Sequence, residues 1–300
     1  MNDILIKREN SPYIFSFPHS GEMLTSDMEW NLTPESQAFL PNVDWHLPEL
    51  YKFLEDYKVN IISTPHSRYV VDVNRPPNAD TIGNYRRSLV YDTNTWDESI
   101  YAIAPSKEEI ERRIERYYKP YHDELEALIT EKVRVFGKVY LVDMHSFMGP
   151  ISEDVCLGNR HNLTSSEEFI NRIYSAFDSE GFNCVKNKIF IGGYITQSYA
   201  IKDVVETLQI ELRYTTYIEE YELDVRRKPS CNTTLFYETA FRLEEVFKKI
   251  GIEKKEKDAL ANLVDRGGIW YKRVIIGVFV LMVLLSISED LKVVFKGLFS

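Results

Sequence analysis

Val139-Tyr140-Leu141-Val142, followed at once by Asp143-Met144-His145-Ser146, is the stretch on which the fold turns. Four apolar residues in a row, without alternation, describe a strand covered on both faces. Such a strand needs helical layers on either side, and the chain supplies them. Tyr13–Phe17, Val59–Ser63, Tyr69–Val73 and Leu208–Leu212 read as further strands. Pro48–Tyr57, Lys107–Val135, a segment capped by Ser165 or Ser166 and running to Phe177, and Leu235–Ile250 read as helices. Pro120 is expected to break or kink the longest of them, because proline lacks a backbone donor and crowds the preceding turn. The alternation predicts a three-layer α/β sandwich with a mostly parallel, mixed central sheet. Ligands should then sit beyond the carboxyl ends of its strands.

The composition agrees with a folded domain. Of 300 residues, 44% are hydrophobic and 27% charged, which separates the chain from disordered sequences. A net charge of −10 argues against nucleic acid as a partner. It leaves an anionic small molecule open, since a few arginines in one pocket reverse the local field. Cys156, Cys184 and Cys231 are odd in number and far apart, which fits buried thiols in a reducing compartment. Met1–Asn10 has no apolar stretch of the secretory kind, so a cytoplasmic location is expected.

Val274–Ile287 stands apart: 14 residues without a charge, preceded by Lys272 and Arg273. A bilayer core needs about 20. The segment is expected to bury itself in lipid as a tail anchor, in a partner chain through self-association, or against the domain. Glu253–Arg266 before it is mostly polar. The domain boundary is therefore placed near residue 252, with residues 1–252 as the main domain and 253–300 as a polar linker and apolar tail.

Four clusters carry chemistry. His19 and Glu22, in Pro18-His19-Ser20-Gly21-Glu22 after the first strand, have the spacing of two ligands to one metal. The pair is a weak signal, and a turn with an exposed Glu is the ordinary reading. Asp44 is a rival carboxylate, whose ordinary role would be a helix cap. His145 closes the strongest strand, with Asp143 placed to orient an imidazole. Two strand-end histidines with a carboxylate favour a metal, zinc first, with a further position left for water. Arg68, Asn74 and Arg75 flank an apolar stretch; an arginine fork suits a carboxylate or an oxyanion, while surface pairing with Asp72 is the ordinary alternative. Glu211 lies within an apolar strand pattern, where a carboxylate is costly unless paired or functional. It could serve as a general base, or face outward beside an arginine.

The ordered set PHSG, SRYVVDVNR, RIERYYKPYHDELEALI, VDMHS, CLGNRHN, GGYIT and LQIEL resembles the N-formylglutamate amidohydrolases over about residues 12–250. That family is similar to the zinc carboxypeptidases and aspartoacylase. The resemblance implies an α/β sandwich and zinc held by His19, His145 and Glu22, with Asp44 as the alternative carboxylate. It implies Arg68 at the scissile carbonyl, Asn74 and Arg75 on the α-carboxylate, and Glu211 as the base. Arg160 in Gly158-Asn159-Arg160 would hold the side-chain carboxylate, and Tyr194 in Gly192-Gly193-Tyr194 would close over the substrate. The substrate implied is a small anionic N-acyl amino acid, N-formylglutamate first. A metallocarboxypeptidase or another N-acyl-amino-acid deacylase would use the same residues. An inactive, membrane-tethered binding homologue is the competing class, against which the complete residue set counts.

Overall fold

The computed structural model describes residues 4–223 and 225–255. Its centre is a seven-stranded sheet formed by β1 (Leu5–Lys7), β2 (Tyr13–Phe17), β3 (Asn60–Ser63), β6 (Val139–Phe147), β7 (Val155–Gly158), β8 (Cys184–Lys186) and β9 (Val205–Arg213). The spatial order is β1-β3-β2-β6-β9-β7-β8, and β4 (Ile82–Gly83) pairs with β5 (Val90–Tyr91) as a separate ribbon. The four central strands β3, β2, β6 and β9 run parallel. β1 and β7 join them antiparallel, and β8 follows β7. The expected mixed sheet between helical layers is therefore the fold observed.

The two faces of this sheet differ. Met144, Leu208, Ile210 and Leu212 join one apolar cluster with Ile173 and Phe177 of helix Glu167–Ser179 and Val246 and Phe247 of helix Thr234–Ile250. On the other face Ile14, Val139, Leu141 and Val205 pack on Tyr121, Leu125 and Leu128 of helix Lys119–Phe136. Alternation along a strand keeps every second residue on one face. The residues that continue this second face toward the strand ends are Ser16, Asp143, His145, Gln209 and Glu211. The first face is mainly apolar, with Ser146 and Glu206 as its polar members, while the other turns from apolar to polar along the same strands. In the β6–β9 register Asp143 lies opposite Gln209 and His145 opposite Glu211.

Several expected elements change form. Tyr69–Val73 is not a strand but a chain of buried turns. Its polar backbone is satisfied outside the sheet: Asp72 N–H donates to Leu89 O at 2.8 Å. The Pro48–Tyr57 region splits into a short helix, Leu47–Leu50, and a 3₁₀ segment, Lys52–Asp56. Pro120 neither breaks nor ends its helix. Helix Lys107–Arg113 passes through a π-turn at Ile114–Tyr118 into Lys119–Phe136, and the Lys119 N–H bonds to Ile114 O. The wider turn opens room for the proline ring against the preceding carbonyls. Ser166 is the cap of its helix, accepting from Phe169 N–H.

Packing continues slightly past residue 252. Ile252 is buried, and Glu253 O accepts from Lys58 N–H at 2.8 Å. The apolar stretch Val274–Ile287 lies outside the described residues. Among the described residues no helix is long and apolar enough to cross a membrane.

After β2 and β3 the chain keeps two loops side by side. Met23 N–H donates to Pro65 O and Ser67 N–H to Met23 O, both at 2.9 Å. Gly21 sits where they meet, and a Cβ there would lie 2.4 Å from both Thr64 O and His66 O. Backbone cannot yield as a side chain can. Gly21→Ala should lower stability by about 1–3 kcal/mol, the usual cost of overpacking. Urea denaturation checks this, and an unchanged midpoint would show that the loops separate freely.

Candidate active site

The polar ends of β2, β6 and β9 open into a cavity of about 600 Å³. His19 follows β2, and His145, Gln209 and Glu211 come from the polar face of β6 and β9. Asp44 enters from a separate loop. His19, Asp44 and His145 are all buried, and one ligand atom from each lies within 4.8 Å of the others. Asp44 Oδ2 is 3.1 Å from His145 Nδ1 and 3.7 Å from His19 Nδ1. His19 Nδ1 is buried without a hydrogen-bond partner among the described residues. Two imidazole nitrogens and one carboxylate oxygen make a donor set suited to a divalent cation such as zinc.

The outer nitrogen of each ring is fixed by a further carboxylate. His19 Nε2 lies 2.6 Å from Asp72 Oδ1, and His145 Nε2 lies 2.8 Å from Asp143 Oδ2. Such partners fix the tautomer, leave Nδ1 as the donor atom and raise its basicity. The electrostatics of the two rings differ. Burial, reinforced by Arg68, pushes His19 down to about 4 despite Asp72. Burial opposes charge on His145 too, but Asp143 and Asp44 outweigh it and the net direction is upward.

Asp44 reaches this group along an unusual backbone. Asn42, Asp44 and His46 have φ of 56°, 50° and 59°, a left-handed conformation that side chains adopt at some cost. The segment is clamped from outside. Tyr69 Oη donates to Pro41 O, Tyr217 Oη donates to Trp45 O, both at 2.9 Å, and His46 Nε2 lies 2.7 Å from Pro229 O.

Asp72 gathers the cationic side of the site. It is fully buried and accepts from Arg68 Nη2 at 3.1 Å, from Tyr91 Oη and from Asn74 N–H at 2.8 Å, with Arg75 Nη1 at 3.5 Å. Arg68 also lies over the Tyr85 ring at 4.6 Å. Glu211 is different. Its Oε1 accepts from Gln209 Nε2 at 2.6 Å, and its Oε2 is buried with no partner among the described residues. Burial, with Asp44 adding to it, pushes this carboxyl up to about 7. A carboxylate with one free oxygen and a near-neutral pKa on a cavity wall can exchange protons with a bound molecule.

Comparison with known proteins shows the family. A family model described as N-formylglutamate amidohydrolase matches residues 11–218. The chain belongs to the N-formylglutamate amidohydrolase family. It is 30% identical over 226 residues to an N-formylglutamate deformylase of Pseudomonas putida, covering 70% of this chain and 83% of that protein. It is 30% identical over 233 residues to the protein of the same name from Pseudomonas aeruginosa, covering 73% and 87%. The fold is similar to the crystal structure of N-formylglutamate amidohydrolase from Ralstonia eutropha JMP134, with a TM-score of 0.70 at 20% identity, covering 89% of this chain and all (100%) of that one.

Within this N-formylglutamate amidohydrolase fold, the residues singled out from sequence do not all meet. Of the two carboxylates, Asp44 joins the histidines and Glu22 does not. Glu22 is exposed and pairs with Lys228 at 2.5 Å, outside the His19, Asp44 and His145 group. Arg68, Arg75 and Glu211 line the cavity. Asn74 lines it too, but its amide is engaged: Oδ1 accepts from Ile195 N–H at 2.8 Å, and Nδ2 donates to Asp143 Oδ2 at 3.3 Å. Asn74 therefore steadies the carboxylate behind His145. Arg160 and Tyr194 are not among the lining residues. Arg160 Nη1 is turned to Gly192 O at 3.2 Å, and Tyr194 packs beside the His122 ring at 5.6 Å.

Sequence reasoning passed over Gln209 and gave Asp72 only a surface role. Gln209 lies two residues before Glu211 on the same strand face, and that alternation was its signal. Asp72 sits between Arg68 and Arg75 in sequence, but that it is enclosed rather than exposed depends on tertiary packing.

Asp72→Asn should be far more costly than Glu22→Gln. The first leaves two arginines and a histidine around a neutral amide in the interior, at about 3–5 kcal/mol. The second removes an exposed pair of little value. Thermal or denaturant unfolding of both variants compares them, and equal stabilities would contradict the enclosed charge cluster.

Proposed function

We propose that the chain hydrolyses the formyl amide of N-formylglutamate, giving formate and glutamate, with a zinc ion held by His19, Asp44 and His145. The observation that carries this reading is the buried His-Asp-His group beside a carboxylate, Glu211, with one unpartnered oxygen. The relatives named N-formylglutamate deformylase support the choice of substrate. When bound, the ion would supply Lewis acidity to water and to the amide carbonyl.

The chain's own residues do the rest. Glu211 Oε2 takes a proton from water as the water oxygen bonds to the formyl carbon. Gln209 holds the other oxygen, so the carboxylate does not rotate away. Arg68, pinned by Asp72 and stacked on Tyr85, presents fixed positive charge to the carbonyl oxygen as it becomes anionic. The C–N bond then breaks, and the proton on Glu211 passes to the departing glutamate nitrogen. Arg75 is the residue assigned to the α-carboxylate. Its Nε is buried without a partner, and its Nη2 donates to Tyr85 O at 3.1 Å, which fixes its direction.

Release of formate from N-formylglutamate by purified protein tests the reading directly, and no release with zinc supplied would end it. Glu211→Gln keeps nearly the same shape but cannot accept the proton. Turnover should fall by about 10²- to 10⁴-fold with the bound metal retained, and near-normal kcat would return Glu211 to a structural role.

Elemental analysis separates the two carboxylates. Asp44→Asn should lose most of its metal content, while Glu22→Gln should match the unmodified protein. The reverse result would restore Glu22 as the ligand.

A further inference from the structure

We propose that Arg86 is the residue that reads the distal carboxylate of the substrate, and so sets the preference for an acidic amino acid. This rests on the proposed function above. N-formylglutamate has two carboxylates, and Arg75 is assigned to only one. Three arginines line the cavity: Arg68, Arg75 and Arg86. Arg68 and Arg75 share the charge of Asp72. Arg86 is the third, and its guanidinium has no hydrogen bond or ion pair among the described residues. It is the lining cation without a protein counter-charge.

Its position is built rather than incidental. Arg86 lies in the turn between β4 and β5. Its N–H donates to Asn84 Oδ1 at 3.0 Å, while Arg87 and Ser88 N–H donate to Asn84 O, both at 3.2 Å. The preceding residue fastens the turn to the site: the Tyr85 ring lies under Arg68, and its carbonyl accepts from Arg75. A planar fork on such a turn can meet a carboxylate with two parallel hydrogen bonds. Among the described residues no lysine and no further arginine lines the cavity. Phe147, Met148, Pro150, Ile189, Phe190 and Ile191 give the lining its apolar part. Arg160, the residue first expected to hold this carboxylate, is turned toward Gly192 O instead.

The test compares N-formylglutamate with N-formylglutamine, which differ only in the distal group. In Arg86→Met, KM for N-formylglutamate should rise about 10-fold, the lower end for a charge-assisted pair because the arginine is exposed. The kcat should stay within about 2-fold, and the preference for the acid over the amide should shrink by the same factor as KM grows. Arg86→Lys should recover part of it, and the neighbouring Arg87→Met should change nothing. An undiminished preference in Arg86→Met, or its loss in Arg160→Met instead, overturns the assignment. Should the unmodified protein leave N-formylglutamate intact, the proposed function fails separately. The arginine is then judged by calorimetric binding of glutarate, a bare dicarboxylate. Weaker binding in Arg86→Met sustains it, and equal affinity or no binding by the unmodified protein overturns it.

Discussion

One buried carboxylate, Asp72, organises the loop side of this site. Burial alone would raise its carboxyl, but Arg75, His19 and Arg68 outweigh burial and hold it well below the usual range. A charge in the interior is tolerable only when its partners surround it. The partners are constrained in return. The same carboxylate turns the His19 ring, aims Arg68 and Arg75, and accepts the Asn74 N–H. Four groups that must act at fixed positions are located by reference to one atom pair rather than by four separate packing arrangements.

The sheet provides the other reference frame. β2, β6 and β9 deliver Ser16, Asp143, His145, Gln209 and Glu211 to one face, spaced by the strand repeat and the interstrand distance. Neither spacing can drift without disturbing the apolar residues behind it, such as Leu141 and Val205, which pack on helix Lys119–Phe136. Loop and sheet frames meet at several contacts, two of them at the histidines and their carboxylates. Asp44 stands between His19 and His145, and Asn74 reaches Asp143.

What the sequence revealed follows from this division. The strands were legible because continuous apolar runs have few alternatives when buried on both sides, and a histidine at the end of one is locally visible. Glu211 was visible for the same reason, as a charge inside an apolar pattern. The loops were less so. Tyr69–Val73 has the composition of a strand, but its burial comes from enclosure and its hydrogen bonds leave in other directions. Glu22 is near His19 in sequence but pairs with Lys228 on the surface, because side-chain direction is not encoded in spacing. Asp44 reaches the site through three left-handed residues, none of them glycine, so no residue type marks the turn. Arg160 lies against Gly192 and Tyr194 beside His122, contacts made in the folded chain that a linear reading does not contain.

The π-turn at Ile114–Tyr118 has a bearing on how this chain tolerates changes in length. A π-turn carries one residue more than the α-helix it interrupts, and a residue corresponds to about 100° of helical rotation. The turn ends on Tyr118, whose hydroxyl donates to Arg75 O at 2.7 Å, while Tyr121 and Leu125 beyond it face the sheet. Removing one polar residue there, Glu115 or Arg116, would leave a regular helix with the same apolar content. It would also rotate Glu109 and Arg113 together relative to the sheet-facing half, and so carry Arg113 away from Tyr101. The extra residue therefore works as a phase adjustment between two helical faces, and homologues lacking it would need a compensating insertion or a different surface on the leading half.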